Sequence, residues 1–190
     1  MALKFEWTIP NVLTFLRLLA IPWLCCLIWQ WPENRLKAFI VFVAIWLTDM
    51  LDGFIARHFN QMSAFGKLFD PLVDKLFQLA TAITMFLIGR VPLWVPLFML
   101  VREALMVLGS IFLLRKKDKV VYSSPIGKVA TFLFVLAFAA LFWVPSEPRI
   151  VRDLLFVPPV FVSIAATVFY ANRNLFGPRH ADSGQNAKDA

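Results

Sequence analysis

The chain has 190 residues, 60% of them hydrophobic and only 16% charged, against about 25% charged in ordinary soluble domains. That balance excludes a soluble enzyme with a greasy patch and points to one integral membrane domain. The formal charge of +7 fits a positive-inside bias and attraction to anionic lipid. It does not point to nucleic acid, because the aromatic side chains that would stack on bases fall inside the apolar runs. Cys25 and Cys26 are adjacent in one such run, which excludes a disulfide framework.

The apolar runs predict an all-α bundle of six transmembrane helices at roughly 12–31, 36–57, 70–88, 92–114, 126–144 and 153–171, each near the ~20 residues a bilayer requires. Residues 1–9 alternate Leu3, Phe5, Trp7 and Ile9 with Lys4 and Glu6, the pattern of a short interfacial helix before Pro10 turns the chain inward. The first run has no small-residue cleavage site after it, so a span rather than a cleavable signal is expected there. Breaks fall at Trp31-Pro32-Glu33-Asn34, at the polar run Arg57 to Lys67, at Gly89-Arg90-Val91-Pro92, at Arg115 to Pro125 and at Pro145-Ser146-Glu147-Pro148. A single domain over 1–175 and a flexible polar tail over 176–190 follow. With six spans, eleven of the 19 Lys and Arg share the side of the N-terminus and five lie opposite. Both termini are therefore expected in the cytoplasm.

Against this background four carboxylates stand out. Asp49 and Asp52 are three apart near the cytoplasmic end of span 2, and Asp70 and Asp74 are four apart at the start of span 3. Each spacing places its pair on one helical face, and Pro71 suits the first turn of span 3. Like charges at low dielectric would lose their ionisation unless neutralised. Hard divalent cations with oxygen ligands meet that need, and Mg²⁺ or Mn²⁺ fits better than zinc because no cysteine or buried histidine is near. His58 is expected to face solvent. Gly53, Ala56 and Gly66 are small and in register with the aspartates, which leaves room for a nucleotide or diphosphate or for close helix packing. A proton or ion relay is the competing reading. The aspartates cluster at one membrane face, however, and no internal repeat accompanies them.

The stretch Asp49-x2-Asp52-Gly53-x2-Ala56-Arg57-x8-Gly66-x3-Asp70-x3-Asp74 resembles the signature of the CDP-alcohol phosphatidyltransferase family at every fixed position. Pro10-Asn11-Val12-Leu13-Thr14-Phe15-Leu16-Arg17 looks like the opening of that family's first helix, and the likeness runs over about residues 9–172. The resemblance implies metal-dependent transfer of a phosphatidyl group from CDP-diacylglycerol to an alcohol, releasing CMP. It implies that Asp49, Asp52 and Asp70 hold two divalent cations with help from Asp74, and that Asp74 is also the general base. Gly53, Ala56, Arg57, Gly66, Asn11 and Thr14 would bind the nucleotide-lipid donor. A homodimer in the bacterial plasma membrane, with the active site facing the cytoplasm, is expected by the same likeness.

The acceptor is read from cations near the same face: Arg102, Lys128, Lys67 and Arg115, which would suit a phosphorylated alcohol. Asp70-Pro71-Leu72-Val73-Asp74-Lys75-Leu76 resembles the run both in members that use glycerol 3-phosphate to make phosphatidylglycerophosphate and in members that make cardiolipin, and glycerol 3-phosphate is the leading expectation. Those members usually carry a second arginine eight residues after the first and a glutamine after their Gly-Lys-x-x-Thr-x-x run. Here these positions hold Ser110 and Phe134, which keeps the cardiolipin-forming alternative open, with phosphatidylglycerol as acceptor. A non-enzymatic transporter with carboxylate ion sites is the distant alternative.

Overall fold

The computed structural model describes residues 8–58, 64–117, 125–145 and 147–171, all in helices and their connecting turns, with no strand among the described residues. The elements are α1 (Ile9–Trp29), α2 (Arg35–His58), α3 (Ala64–Leu87), α4 (Trp94–Lys117), α5 (Pro125–Leu141), α6 (Arg149–Leu155) and α7 (Val157–Ala171). The all-α membrane bundle expected from the apolar runs is thus the fold. The interfacial helix expected at the N-terminus and the tail from 176 lie outside the described residues.

Local chemistry sets the ends. Thr8 is extended and Pro10 sits in the first turn of α1, where its missing N–H costs nothing. Gly89 ends α3 with a positive φ of 70°. Its N–H donates to Phe86 O at 2.8 Å and that of Arg90 to Met85 O at 2.8 Å, a closure that needs the left-handed conformation glycine alone adopts cheaply.

Two expectations are corrected. Pro71 is not in a first turn. The helix begins at Ala64, so Pro71 lies inside α3, because the end of the polar run, Ala64 to Lys67, is itself helical. The last apolar run is also not one helix. It starts at Arg149 and breaks at Phe156, whose N–H bonds back to Asp153 O and Leu154 O. Pro158 and Pro159 follow and have no N–H to carry the ladder forward.

α1 packs along both α2 and α3, α5 lies along α7, and α4 rests on α3. The centre is aromatic. Phe42 of α2 meets Phe77 of α3 at 5.1 Å between ring centroids and Phe142 beyond α5 at 5.7 Å, and Phe138 meets Phe156 at 5.2 Å. Outward-facing Leu108, Ile150 and Phe161 leave more than 60% of their surface open, as a lipid-facing belt requires. Three stretches, Ile9–Trp29, Arg35–Ile55 and Arg149–Phe169, are long and apolar enough to cross a membrane. Ile126–Leu141 is apolar but shorter. α3 and α4 are 24 residues each and carry charge within their length, notably Asp70, Asp74 and Lys75 on α3 and Arg102 and Glu103 on α4.

The bundle is tied at the end opposite the aspartates by arginines on carbonyls. Arg90 donates to Leu141 O at 2.7 Å and to Val144 O, and its guanidinium lies 4.7 Å from the Trp31 ring centre. Arg152 donates to Gly89 O at 2.7 Å. The cations thus sit where helix C-terminal carbonyls are unpaired and negative. Arg90→Met removes the bonds that join the α3–α4 turn to the end of α5, each worth about 1.5–3 kcal/mol when the donor is charged. A clear fall in the midpoint of thermal unfolding in detergent is expected; an unchanged midpoint contradicts the clamp.

Candidate active site

The site forms where the start of α1, the end of α2 and the start of α3 meet. On α1, Asn11, Thr14 and Arg17 recur every third residue and are all buried, so one polar stripe faces the two aspartate-bearing helices. Arg17 is 2% exposed. Its Nη1 lies 2.9 Å from Asp49 Oδ1 and donates to Asp74 Oδ1 at 2.7 Å, while its Nη2 donates to Asp52 Oδ2. The Thr14 hydroxyl lies 2.6 Å from Asp70 Oδ1 and 3.1 Å from Pro10 O. With one proton to give, it serves the nearer carboxylate. All four aspartates named from sequence are therefore held by two residues of one helix.

Burial differs among the four. Asp52 is 3% exposed, whereas the side chains of Asp49 and Asp74 are 36% and 34% exposed. The open pair faces a cavity of about 180 Å³ lined by Arg17, Asp49, Asp74, Gln78, Lys128 and Thr131 among others. That is smaller than the ~300 Å³ of a whole small-molecule pocket, a size for a headgroup rather than a nucleotide with its lipid. Gly66 is buried one turn before Asp70, and Gly53 is half-buried beside Asp52. His58 is exposed and stacks on Phe54 at 5.6 Å, as expected for a solvent-facing ring.

The cations chosen from sequence separate. Lys128 of α5 reaches the carboxylate cavity. Arg102 does not line it. It lies on a second groove of about 120 Å³ between α3 and α4, with Lys75, Leu76, Leu79, Met99, Leu100 and Glu103. There Lys75 pairs with Glu103 at 2.5 Å, and Arg102 stands 3.7 Å from the same carboxylate. The side chains of Ala56, Arg57, Lys67 and Arg115 lie outside the described residues.

Could these residues hold divalent cations? The donor set is carboxylate oxygen alone, with no sulfur or imidazole, which suits Mg²⁺ or Mn²⁺. Yet no three acidic, histidine or cysteine side chains stand at metal-holding spacing among the described residues. The reason is visible: three of the carboxylates point an oxygen at Arg17 instead. Arg17 is the residue that reading for carboxylates overlooks. Its signal in the sequence was an arginine inside an apolar span, three residues after Thr14, where an intramembrane charge must find partners.

The chain matches the model of the CDP-alcohol phosphatidyltransferase family over residues 7–170 and belongs to that family. It is 37% identical to the cardiolipin synthase (CMP-forming) of Streptomyces coelicolor over 70% of this chain and 64% of the relative. It is 34% identical to the CDP-diacylglycerol–glycerol-3-phosphate 3-phosphatidyltransferase of Rickettsia bellii over 73% of this chain and 77% of the relative, and 30% identical to that of Bacillus subtilis over 71% and 76%. The matched region thus spans just under two thirds of the Streptomyces protein.

The hold of Thr14 on Asp70 can be tested without any substrate. Thr14→Val keeps the shape and removes the hydrogen bond to a charged acceptor, worth about 1.5–3 kcal/mol. Thermal unfolding in detergent is expected to shift down for Thr14→Val and to stay near the parent for Thr14→Ser; equal midpoints for both would dismiss the contact.

Proposed function

We propose that this protein transfers a phosphatidyl group from CDP-diacylglycerol to the hydroxyl of a phosphorylated alcohol, with release of CMP, at the cytoplasmic face of a bacterial plasma membrane. One observation carries the reading: the four family-signature carboxylates converge beside a cavity that also holds Lys128. Asp49, Asp52, Asp70 and Asp74 would hold two divalent cations, Mg²⁺ or Mn²⁺. Bound there, they supply positive charge to neutralise the donor diphosphate and the departing CMP. The small Gly53, Ala56 and Gly66 leave space for the donor against the helices, with Asn11 and Arg57 at its margin.

Asp74 is one of the two open carboxylates that line the cavity and takes the proton of the acceptor hydroxyl. The freed oxygen bonds to the phosphatidyl phosphorus, the bond from that phosphorus to the CMP oxygen breaks, and CMP leaves with the electron pair. A general base contributes about 10²–10⁴-fold. Asp74→Asn is therefore expected to cut turnover by at least about 10²-fold while donor binding, followed by displacement of a labelled analogue, persists. Loss of binding to the same extent would make Asp74 chiefly a ligand.

Glycerol 3-phosphate is the acceptor proposed, with Lys128 facing its phosphate. Lys67 and Arg115 would add charge at the same membrane face. Phosphatidylglycerol is the second reading, favoured by the likeness to the Streptomyces synthase and by the place of Arg102. An arginine on an apolar groove suits the phosphate of a lipid better than that of a small polar acceptor. Two copies of the chain would form the working unit. Purified protein supplied with CDP-diacylglycerol, Mg²⁺ and each acceptor in turn should release CMP with glycerol 3-phosphate, and EDTA should stop it. Release with phosphatidylglycerol alone selects the second reading, and no CMP with any alcohol rejects the enzyme. Lys128→Ala is expected to raise KM for the phosphorylated acceptor far more than for the donor.

A further inference from the structure

We infer that Arg17 is an internal stand-in for the metal: its guanidinium occupies the carboxylates until divalent cations arrive, and it then moves off them into the adjoining cavity. The inference rests on the metal-dependent reading above and adds a role for a residue outside the signature.

The geometry argues for exchange rather than coexistence. Nη1 is shared between Asp49 Oδ1 and Asp74 Oδ1 at 2.9 and 2.7 Å, and Nη2 is bound to Asp52 Oδ2. A Mg²⁺ ion must approach such oxygens to about 2.0–2.1 Å. The point between the Asp49 and Asp74 oxygens is already taken by a nitrogen that carries positive charge. A cation placed there meets both a steric conflict and like-charge repulsion at low dielectric.

Charge fixes the direction. Three carboxylates contact one guanidinium and the fourth, Asp70, is held by the Thr14 hydroxyl, which leaves most of their negative charge unneutralised. Two divalent ions neutralise it fully, so the cations displace the arginine and not the reverse. The side chain also has somewhere to go. Arg17 lines the 180 Å³ cavity together with Lys128, and its Nε has no hydrogen-bond partner among the described residues. Among the described residues, the carboxylates alone anchor the guanidinium. In the cavity it would face the anionic groups of the incoming substrates, where an arginine binds phosphate well.

Exchange also explains how the bundle end survives without metal. Arg17 joins α1 to α2 and α3 through the same oxygens the cations would use, so the carboxylates are held apart and oriented in advance. Arg17 is in this sense a positioning residue.

The test is Mn²⁺ binding to the purified, substrate-free protein, read by electron paramagnetic resonance of free Mn²⁺, with thermal unfolding beside it. If Arg17 competes with the cation, Arg17→Gln binds Mn²⁺ at least about tenfold more tightly than the parent, because no bonds need be broken first. Without metal the same variant unfolds at lower temperature, and Mn²⁺ restores it by a larger shift than the parent shows. Arg17→Lys, which keeps the charge, stays near the parent in both. Weaker or unchanged Mn²⁺ binding by a folded Arg17→Gln overturns the exchange, since an arginine that supports a loaded site would weaken binding when removed.

Should Arg17→Gln fail to fold, the unmodified protein still decides. The ¹⁵Nε resonance of Arg17, assigned by its loss in Arg17→Lys, should move when Mg²⁺ is added; a fixed resonance at saturating Mg²⁺ overturns the exchange. CMP release is scored separately. Activity with Mn²⁺ bound but no displacement of Arg17 rejects this inference alone, whereas absence of both metal binding and CMP release rejects the proposed function with it.

Discussion

A buried arginine cannot be left without counter-charge, and a cluster of carboxylates cannot be left without a cation. Arg17 and its aspartates satisfy both demands at once. The rest of the architecture follows from where that contact must form. It requires the start of α1, the end of α2 and the start of α3 at one level of the bundle. Packing of α1 antiparallel to α2 and parallel to α3 supplies that arrangement, and the polar stripe Asn11, Thr14, Arg17 continues into the apolar stripe Ile21, Leu24 and Ile28 of the same helix face. One helix face therefore changes from ionic to hydrophobic contact as it descends from the site into the core.

The two ends of the bundle solve the problem of buried charge in different ways. At the site, a cation meets side-chain carboxylates. At the other end, Arg90 and Arg152 meet backbone carbonyls, which are fixed by the helices, and so hold helix ends together. The aromatic core through Phe42, Phe77 and Phe142 lies between the two ends and joins α2 to α3 by ring contact.

Lys128 shares a cavity with Asp49 and Asp74, while Arg102 belongs to a groove walled by Leu76, Leu79, Met99 and Leu100. The polar cavity and the apolar groove lie side by side and share Gln78.

The sequence by itself determined a helical membrane protein, because long apolar runs in lipid have no other way to satisfy their backbone. It placed each aspartate pair on one helix face, because spacings of three and four do so without any tertiary knowledge. It did not reveal that the last run breaks at Phe156 or that Pro71 lies within α3, since helix ends are set by packing and by neighbouring turns as much as by local composition. Nor did it reveal the partners of Arg17 and Arg102. Both are arginines in apolar helices, and in one dimension they look alike. Only the packing of α1 against α2 and α3 turned the first onto the aspartates, and only the position of α4 on α3 gave the second a groove beside Lys75 and Glu103 instead. Which charges meet is decided by distance through space, and distance through space is the quantity that a sequence does not contain.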